Sequence, residues 1–213
     1  MYLPIEIQQI ILEYTDFSLQ LTIINLCKEN YNNLKIKKLD HKKVTQKILY
    51  QKKYNQLEKL NVNNNSKITD VNYFKNSLIE LYCGFRCGIE QKGIQKLQIL
   101  KKLNAYNNSK IIDVNHLKNT LVKLNCGANC GINQNGIKDL IKLEKLNAYD
   151  NPNINDVNYL KNTLIGLNCE GDCGVNQEGI DKLIKFKKFY AVNNKKIINV
   201  NHFKNNLTEL YYL

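Results

Sequence analysis

Apolar residues recur at fixed places along most of this chain. In the 21 residues from Leu57, apolar side chains stand at places 1, 4, 6, 12, 15 and 18, and asparagine stands at place 9. The next 22 residues, from Leu78, share apolar places 1, 4, 6 and 12 and carry cysteine at place 10. This pair of units repeats every 43 residues, as at Leu60, Leu103 and Leu146. A tandem repeat of this length predicts stacked units, because one unit alone cannot bury its apolar face.

Each unit opens with a predicted strand. Leu60 and Val62 are two residues apart and therefore lie on one face, whereas Asn61 and Asn63 point the other way. The units resemble the leucine-rich repeat, whose strand segment reads LxxLxLxxN, at LEKLNVNNNSKI, LKKLNAYNNSKI and LEKLNAYDNPNI. The resemblance covers residues 57–213. It implies an α/β leucine-rich repeat solenoid, with a curved parallel sheet and helical turns on its convex side.

Polar and small residues mark the bend after each strand. Asparagine at place 9 should turn inward and hydrogen-bond backbone groups that the bend leaves unpaired. In alternate units cysteine stands one place later, before glycine, which predicts a differently shaped bend. An aspartate precedes each expected helical turn and is its predicted N-cap. These residues are Asn65, Asn108, Asn151 and Asn194; Cys87, Cys130 and Cys173; Asp70, Asp113 and Asp156.

Residues 1–33 have a different pattern, which predicts two short helices. Pro4 suits the first turn of a helix, and Asp16 or Ser18 is expected to cap the second helix. The spacing of apolar residues places a set of them on one face of the first helix. That set is Ile7, Ile10, Ile11 and Tyr14.

The same stretch resembles an F-box, whose pattern begins with LPxE and ends in a CK element. The resemblance rests on LPIEIQQIILEY and LCKENY. The matching positions are Leu3, Pro4, Glu6, Ile7, Ile10, Ile11, Tyr14, Cys27, Lys28 and Tyr31. It implies a small all-α module that binds a Skp-type adaptor of a cullin ubiquitin ligase. The alternative is a helical cap that closes the open end of the solenoid.

Residues 34–56 are rich in lysine and connect these two regions. Val44 and Ile48 are four residues apart and can share a helical face. We interpret the stretch as a linking helix or as a degenerate first repeat packed on the first unit. The predicted organisation is therefore a module at 1–33, a connection at 34–56 and repeats at 57–213.

Composition and charge narrow the class of protein. A chain of 213 residues with 43% hydrophobic and 23% charged residues can bury a sizeable core. No apolar run approaches the roughly 18 residues of a membrane helix, and no secretory signal is recognised, so we expect a cytoplasmic protein. The formal charge is +12, with Arg86 the only arginine. Lysine recurs at solvent-facing places of every repeat, which favours a solvated surface, with a basic nucleic-acid-binding solenoid as an alternative.

Cysteine and histidine raise the question of metal or catalytic sites. Three C-x3-C pairs occur, but equivalent pairs would lie about 10 Å apart, two strand spacings of about 4.8 Å. Zinc needs four ligands at about 2.3 Å, so we predict buried thiols instead. His116 and His202 occupy equivalent repeat places, and no catalytic motif is found. The sequence therefore predicts no metal, no cofactor and no enzyme. The pairs are Cys83 and Cys87, Cys126 and Cys130, and Cys169 and Cys173.

The concave face is the expected binding surface of a leucine-rich repeat protein. It should present tyrosine and asparagine beside a column of lysine, and these side chains suit a target protein with an acidic patch. Gly84 and Gly127 are expected to leave gaps there. The predicted target-binding residues are Asn61, Tyr82, Asn104, Tyr106, Asn125, Asn147, Tyr149, Asn168, Tyr190 and Tyr211. The last unit is cut short, which predicts either truncation or self-association through the open C-terminal end.

Together the two resemblances imply a non-catalytic substrate receptor of an SCF-type ubiquitin ligase. The adaptor would bind the F-box-like module, and an unidentified target would bind the concave face. A free-standing repeat scaffold is the alternative. The composition and the near-identical units are similar to those of F-box repeat proteins of amoebae and of the large DNA viruses that infect them, which would place a viral product in the host cytoplasm.

Overall fold

The computed structural model describes residues 3–25, 28–40, 44–203 and 206–212, apart from the side chains at 17, 28, 29 and 31. Within these ranges the chain is α/β, with one sheet of nine parallel strands that follow one another in sequence order. Each strand is three residues long. The strands are β1 Lys38–Asp40, β2 Lys59–Asn61, β3 Glu80–Tyr82, β4 Lys102–Asn104, β5 Lys123–Asn125, β6 Lys145–Asn147, β7 Gly166–Asn168, β8 Lys188–Tyr190 and β9 Glu209–Tyr211.

The α-helices are short and lie near the start of the chain. Three of them precede the sheet and one follows β1: α1 Ile5–Glu13, α2 Phe17–Asn25, α3 Lys28–Asn33 and α4 Gln46–Leu49. Later connections contain single 3-10 turns, which are tighter than an α-helical turn. These turns are Lys52–Tyr54, Asn72–Phe74, Gln91–Gly93, Asn115–Leu117, Gln134–Gly136 and Asn158–Leu160. The helical turns predicted after the bends are confirmed at the last five positions.

The repeat sets the register of the sheet. Leu60 of β2 pairs with Leu81 of β3, and the same place of each unit pairs onward as far as Leu210 of β9. The central residue is buried in every strand from β1 to β8, because alternate strand residues point to opposite faces. Burying one leucine contributes about 1.5–3 kcal/mol, so this column is a main stabilising element. We call the opposite face, which carries the first and third residue of each strand, the open face.

Asparagine at place 9 turns inward, as predicted. Asn108 donates from Nδ2 to the carbonyl oxygens of Cys83, at 2.8 Å, and Ile89, at 3.1 Å. Its Oδ1 accepts the N–H of Lys110 at 3.1 Å. Asn151 repeats all three bonds one repeat later. Each of these asparagines therefore satisfies two carbonyl groups of the preceding unit, and the stacking of units completes the hydrogen bonding of the bends.

The aspartates that precede the 3-10 turns are not their N-caps. The N-cap residues are Val71, Val114 and Val157, which make no side-chain capping bond. The carboxylate of Asp70 instead accepts the N–H of Asn72, two residues on, at 2.7 Å. The prediction of Asp70, Asp113 and Asp156 as N-caps is wrong by one place, because each forms an Asx turn just before a short 3-10 turn.

Glutamine side chains connect the units in a second way, which the sequence did not predict. Oε1 of Gln91 accepts the N–H groups of Ile112, at 2.9 Å, and Asp113, at 3.0 Å. Its Nε2 donates to the carbonyl of Asp113 at 2.9 Å. Gln134 and Gln177 make the same three bonds to the units that follow them. These amides fix the spacing of the turns without relying on apolar contact.

The stretch 34–56 adds a strand and the contacts of a repeat unit. Leu39 of β1 pairs with Leu60 of β2, and the carbonyl of Val44 accepts from Asn65 Nδ2 at 2.9 Å. The helical face predicted for Val44 and Ile48 is wrong. Val44 precedes α4 and is buried, Ile48 is exposed, and Leu49 is the helical residue that packs inward.

The apolar core is continuous from the helices into the sheet. Leu12 of α1 and Ile24 of α2 belong to the same buried cluster as the strand residues. Asp16 accepts the N–H of Leu19 at 3.0 Å, which confirms Asp16 as the cap of α2. Pro4 is the N-cap of α1 and not part of its first turn. Its lack of an N–H group costs nothing at that place.

Candidate interaction surfaces

Helix α1 carries an exposed apolar face. Ile7, Ile10 and Ile11 follow the spacing i, i+3 and i+4, which places them on one side of the helix. Leu3 precedes the helix and Tyr14 is its C-cap residue. We call this set the α1 face: Leu3, Ile7, Ile10, Ile11 and Tyr14. Their exposure runs from 40% for Ile11 to 89% for Tyr14, so all five large apolar side chains meet solvent.

The opposite side of α1 attaches the helix to the rest of the chain. Leu12 is buried and Ile5 packs partly against the core. Gln9 donates from Nε2 to the carbonyl of Lys35 at 3.0 Å and accepts the N–H of Lys35 at 2.9 Å. This two-bond contact and the buried Leu12 fix the rotation of α1. They turn the α1 face away from the sheet, so the helix contacts the core without using its most apolar side.

An ion pair supports the same attachment. Lys37 Nζ lies 2.9 Å from Glu13 Oε1 and 3.6 Å from Glu58 Oε1. The hydrogen bond from Lys37 lowers the pKa of Glu13, against a smaller opposing effect of burial. The hydrogen bond to Glu13 raises the pKa of Lys37. Both shifts favour the charged pair that joins the end of α1 to the chain leading into β1.

The other predicted adaptor-binding residues divide into two groups. Pro4 and Glu6 are exposed beside the α1 face. Cys27 lies outside the residues that the structure describes, and so do the side chains of Lys28 and Tyr31. The structure therefore brings together the residues that match the first part of the F-box pattern, which begins with LPxE. It does not describe the side chains that match the CK element at its end.

The second surface is the open face of the sheet. The third residue of each strand forms a column that pairs in register from β2 to β9. This column contains eight of the ten predicted target-binding residues: Asn61, Tyr82, Asn104, Asn125, Asn147, Asn168, Tyr190 and Tyr211. Tyr106 and Tyr149 stand two residues after strands β4 and β6. The structure therefore places all ten on the strands of this sheet or immediately beyond them.

The asparagines of this column have a fixed orientation. Oδ1 of Asn104 accepts the N–H of Tyr106 at 3.0 Å, Oδ1 of Asn125 that of Gly127 at 3.1 Å, and Oδ1 of Asn147 that of Tyr149 at 3.0 Å. Only the oxygen of a side-chain amide can accept a hydrogen bond from a backbone N–H group. Nδ2 of each asparagine therefore points away from the backbone N–H group that Oδ1 binds.

Lysine dominates the first residue of the strands, but the lysines differ in their partners. Towards β2, Glu80 lies 3.5 Å from Lys59 Nζ and 4.0 Å from Lys102 Nζ. The Lys102 ammonium also sits 4.9 Å from the centre of the Tyr82 ring. Towards β9, Lys188 is paired with Glu209. Between these ends, Lys123 and Lys145 have no carboxylate within ion-pair distance among the described residues.

Aromatic rings border the column at both ends. Tyr190 and Tyr211 are stacked with ring centres 5.2 Å apart, and Tyr190 donates a hydrogen bond to Glu209. That bond raises the pKa of Tyr190 to about 12, whereas the hydrogen bond from Lys188 and then that from Tyr190 lower the pKa of Glu209. At the other end, Tyr82 donates to Glu80 at 3.1 Å.

The glycines expected to leave gaps do not do so. A Cβ on Gly127 would lie 3.1 Å from Cδ2 of Tyr106, so the Tyr106 ring already covers this glycine. A Cβ on Gly84 would lie 2.7 Å from the carbonyl oxygen of Tyr106. Both glycines therefore permit close approach of the next unit. Phe85, with its ring 5.3 Å from that of Tyr106, adds to this surface and was not predicted from the sequence.

An open groove runs across the middle of the open face. Its volume is about 290 Å³, and it extends from Tyr82 to Tyr190 over strands β4 to β7. We call it the central groove. Lys123, Lys145 and Gly166 are among its lining residues. Gly166 was not predicted from the sequence as a residue of this surface, although it visibly interrupts the column of lysines in the repeat alignment.

The cysteine side chains offer little reactivity or metal affinity at neutral pH. The six described cysteines are buried free thiols. Burial raises the pKa of Cys130 and of Cys173 to about 11, and it raises that of Cys83 well above its usual value. These groups therefore stay protonated, whereas a nucleophile or metal ligand must be a thiolate. Among the described residues, no cluster of three histidine, cysteine or acidic side chains is placed to hold a metal ion.

Two comparisons with known proteins find no match. No known family model matches the sequence, and no curated protein matches it. In the described ranges of the chain, no helix combines the length and the apolar character needed to cross a membrane. The functional inference therefore depends on the two surfaces described above.

Proposed function

We propose that this chain is an F-box and leucine-rich repeat protein that serves as the substrate receptor of an SCF-type ubiquitin ligase. In this proposal residues 1–33 form an all-α F-box-like module, and the units from 57 onward form a leucine-rich repeat solenoid. The α1 face binds a Skp-type adaptor, and the open face of the sheet binds the target. The chain supplies binding surfaces and no ligase chemistry, and it acts in the cytoplasm.

The observation that carries the proposal is the exposure of the α1 face. Exposed apolar patches of this kind mark sites of protein interaction, because solvated apolar area costs about 25 cal/mol per Å² relative to burial. The residues of the face are also the ones that match the F-box pattern, at Leu3, Ile7, Ile10, Ile11 and Tyr14. A helix that only capped the sheet would turn these residues inward. Helix α1 instead turns Leu12 inward and leaves them free.

The repeat array supports the second half of the proposal. A sheet that grows by one strand per unit presents a long, regular surface. Such surfaces suit the recognition of an extended part of another protein. The tyrosines at both ends of the central groove supply a residue type that is enriched among interaction hot spots.

The test is a pull-down of a purified Skp-type adaptor by the purified chain, with Ile7→Asp, Ile10→Asp as the disrupting variant. The matched control is Ile112→Asp, Ile198→Asp, since Ile112 is 53% exposed and Ile10 is 54% exposed. We expect capture by the wild type and the control and none by the disrupting variant, because two charges in an apolar interface remain unpaired. Equal capture by both variants, or none by the folded wild type, would contradict the proposal.

A further inference from the structure

The middle of the central groove offers mainly hydrogen-bond donors, whereas beside strand β7 the amide of Asn168 already donates to the Glu170 carboxylate at 2.7 Å. Nδ2 of Asn104, Asn125 and Asn147 donates to no group in the described part of the chain, because Oδ1 of each amide is held by the backbone. Lys123 and Lys145 add two ammonium groups without a carboxylate partner in the same described residues. The backbone groups beneath are engaged in the sheet. A partner that satisfies this surface must bring acceptors, and the two positive charges favour anionic ones.

Carboxylates at both ends of the groove disfavour the binding of a long polyanion. Glu80 stands beside Lys59 and Lys102 on one side, and Glu209 stands beside Lys188 on the other. A nucleic acid that followed the lysine column would place successive phosphates against these glutamates, and like charges repel at such distances. The two lysines without an ion-pair partner stand on adjacent strands, about 4.8 Å apart. Two carboxylates of one segment can reach both ammonium groups, whereas a longer polyanion would also meet the glutamates at the two ends.

Gly166 lines the central groove without a side chain of its own. At the other nine glycines a Cβ would meet a heavy atom within 2.8 Å, whereas at Gly166 its nearest contact would be Cγ of Lys145 at 3.7 Å, an ordinary van der Waals distance. Gly166 is buried, with the side chains of Lys145 and Lys188 beside it. Backbone geometry therefore does not require glycine here, and a side chain added at this first strand position would point to the open face.

We infer that the central groove binds an acidic, extended protein segment, whose carboxylates contact Lys123 and Lys145 and accept from the asparagine amides beside them. Carboxylates on one face of an extended segment lie two residues apart, about 6.8 Å, which flexible lysine side chains on adjacent strands span. The inference rests on the proposed function only in placing the target on the open face, and it names the chemistry of that target.

The test measures binding of a labelled peptide to the full chain without the adaptor. The probe is a fluorescein-labelled hexapeptide of alternating serine and glutamate, compared with the same peptide carrying glutamine in place of glutamate. Fluorescence anisotropy gives the affinity of each. We expect binding of the glutamate peptide only, weakening as salt rises because the contacting charges are partly exposed.

Two double variants distinguish binding in the groove from attraction by the net charge of the protein. Lys123→Gln, Lys145→Gln removes two charges inside the groove, and Lys138→Gln, Lys182→Gln removes two exposed charges outside it. We expect the first to lower the affinity about tenfold and the second to change it less than about twofold. Gly166→Leu should also weaken binding, at unchanged net charge, by filling the groove. Circular dichroism of each variant checks that the fold is retained.

Other results overturn the inference. Equal effects of the two double variants would assign any binding to general charge. Tighter binding of a ten-nucleotide single-stranded RNA, lost in the same groove variant, would identify the groove as a nucleic-acid site. The variant Ile7→Asp, Ile10→Asp should keep full peptide affinity, so failure of adaptor binding and failure of the groove are distinguishable.

Discussion

The two exposed surfaces of this chain have opposite chemistry. The α1 face presents five large apolar side chains and no charge of its own, whereas the open face presents lysine, asparagine and tyrosine over buried leucines. A solvated strand face needs polar residues, because the parallel sheet buries only its other side. An apolar helix face in water is typical of an interaction site, because its burial lowers the free energy. The comparison therefore separates a surface that burial would stabilise from one whose polar side chains are solvated.

The two regions also differ in how they are held. All units of the array are joined by strand pairing, and at alternate junctions a buried asparagine and a glutamine amide add further bonds, as between β5 and β6. Helix α1 is held mainly by Leu12, by the two bonds of Gln9 and by the Glu13 and Lys37 pair. Parts of a protein with few anchoring contacts open at lower free energy. We expect α1 to open before the array unfolds.

The largest expected effect on stability follows from removing the side-chain hydrogen bonds of one inward asparagine of the array. Asn151→Ala removes the donors to Cys126 and Ile132, at 2.7 and 3.0 Å, and leaves two buried carbonyls unpaired. Each unpaired group costs about 1–3 kcal/mol, so the free energy of unfolding should fall by about 3–5 kcal/mol. Urea denaturation measures the change. Asn153→Ala, at an exposed neighbour, is the control and should cost less than about 0.5 kcal/mol; equal losses would mean that Asn151 is not a structural tie.

A smaller, local effect is expected from the anchor of α1. Leu12→Ala creates a cavity and should weaken the docking of α1 by about 2–4 kcal/mol. Because strand pairing and side-chain hydrogen bonds hold the array together without α1, the midpoint of its main urea transition should shift little. Hydrogen exchange should instead accelerate in residues 5–13. Loss of stability by the same amount in the array would show that both regions unfold as one unit and would remove the contrast drawn above.

The smallest effect concerns the ion pair of α1. The pKa of Glu13 is lowered by Lys37, so the carboxylate stabilises the docked helix at pH values above its usual pKa of 4.5. That stabilisation disappears as the pH falls through the lowered value. Glu13→Gln should therefore weaken docking by less than about 1 kcal/mol at pH 7, since the pair is partly exposed. The difference between variant and wild type should vanish in acid; a constant difference down to pH 3 would exclude the ionised pair as its cause.

The repeating features of the fold were predictable from the sequence. The 43-residue period fixed the buried leucine column and the inward asparagines, because identical places must make identical contacts when units stack. The side-chain bonds of Gln91 and its equivalents were not predicted, since a glutamine in the sequence carries no signal of a backbone partner 21 residues away. The aspartates were misplaced by one residue because an Asx turn and an N-cap share the same sequence preference.

The surfaces were predictable only in part. Helical spacing grouped Ile7, Ile10 and Ile11 on one face, but whether that face packs inward depends on the rotation set by Gln9 and Leu12. The columns of the open face followed from the register of the repeat. The difference between paired and unpaired lysines did not, because it depends on where Glu80 and Glu209 place their carboxylates. The tolerance of the backbone at Gly166 for a Cβ was not predictable either, because it depends on where Lys145 and Lys188 place their side chains.

The most direct test of the central claim is hydrogen–deuterium exchange of the full chain with and without a purified Skp-type adaptor. The account predicts slower exchange on binding within residues 3–14, which contain the α1 face, and unchanged exchange across strands β2 to β9. Ile112→Asp, Ile198→Asp should show the same pattern, and Ile7→Asp, Ile10→Asp should show none. Protection confined to the open face, or no protection at a saturating adaptor concentration, would contradict the assignment of α1 as the adaptor-binding surface.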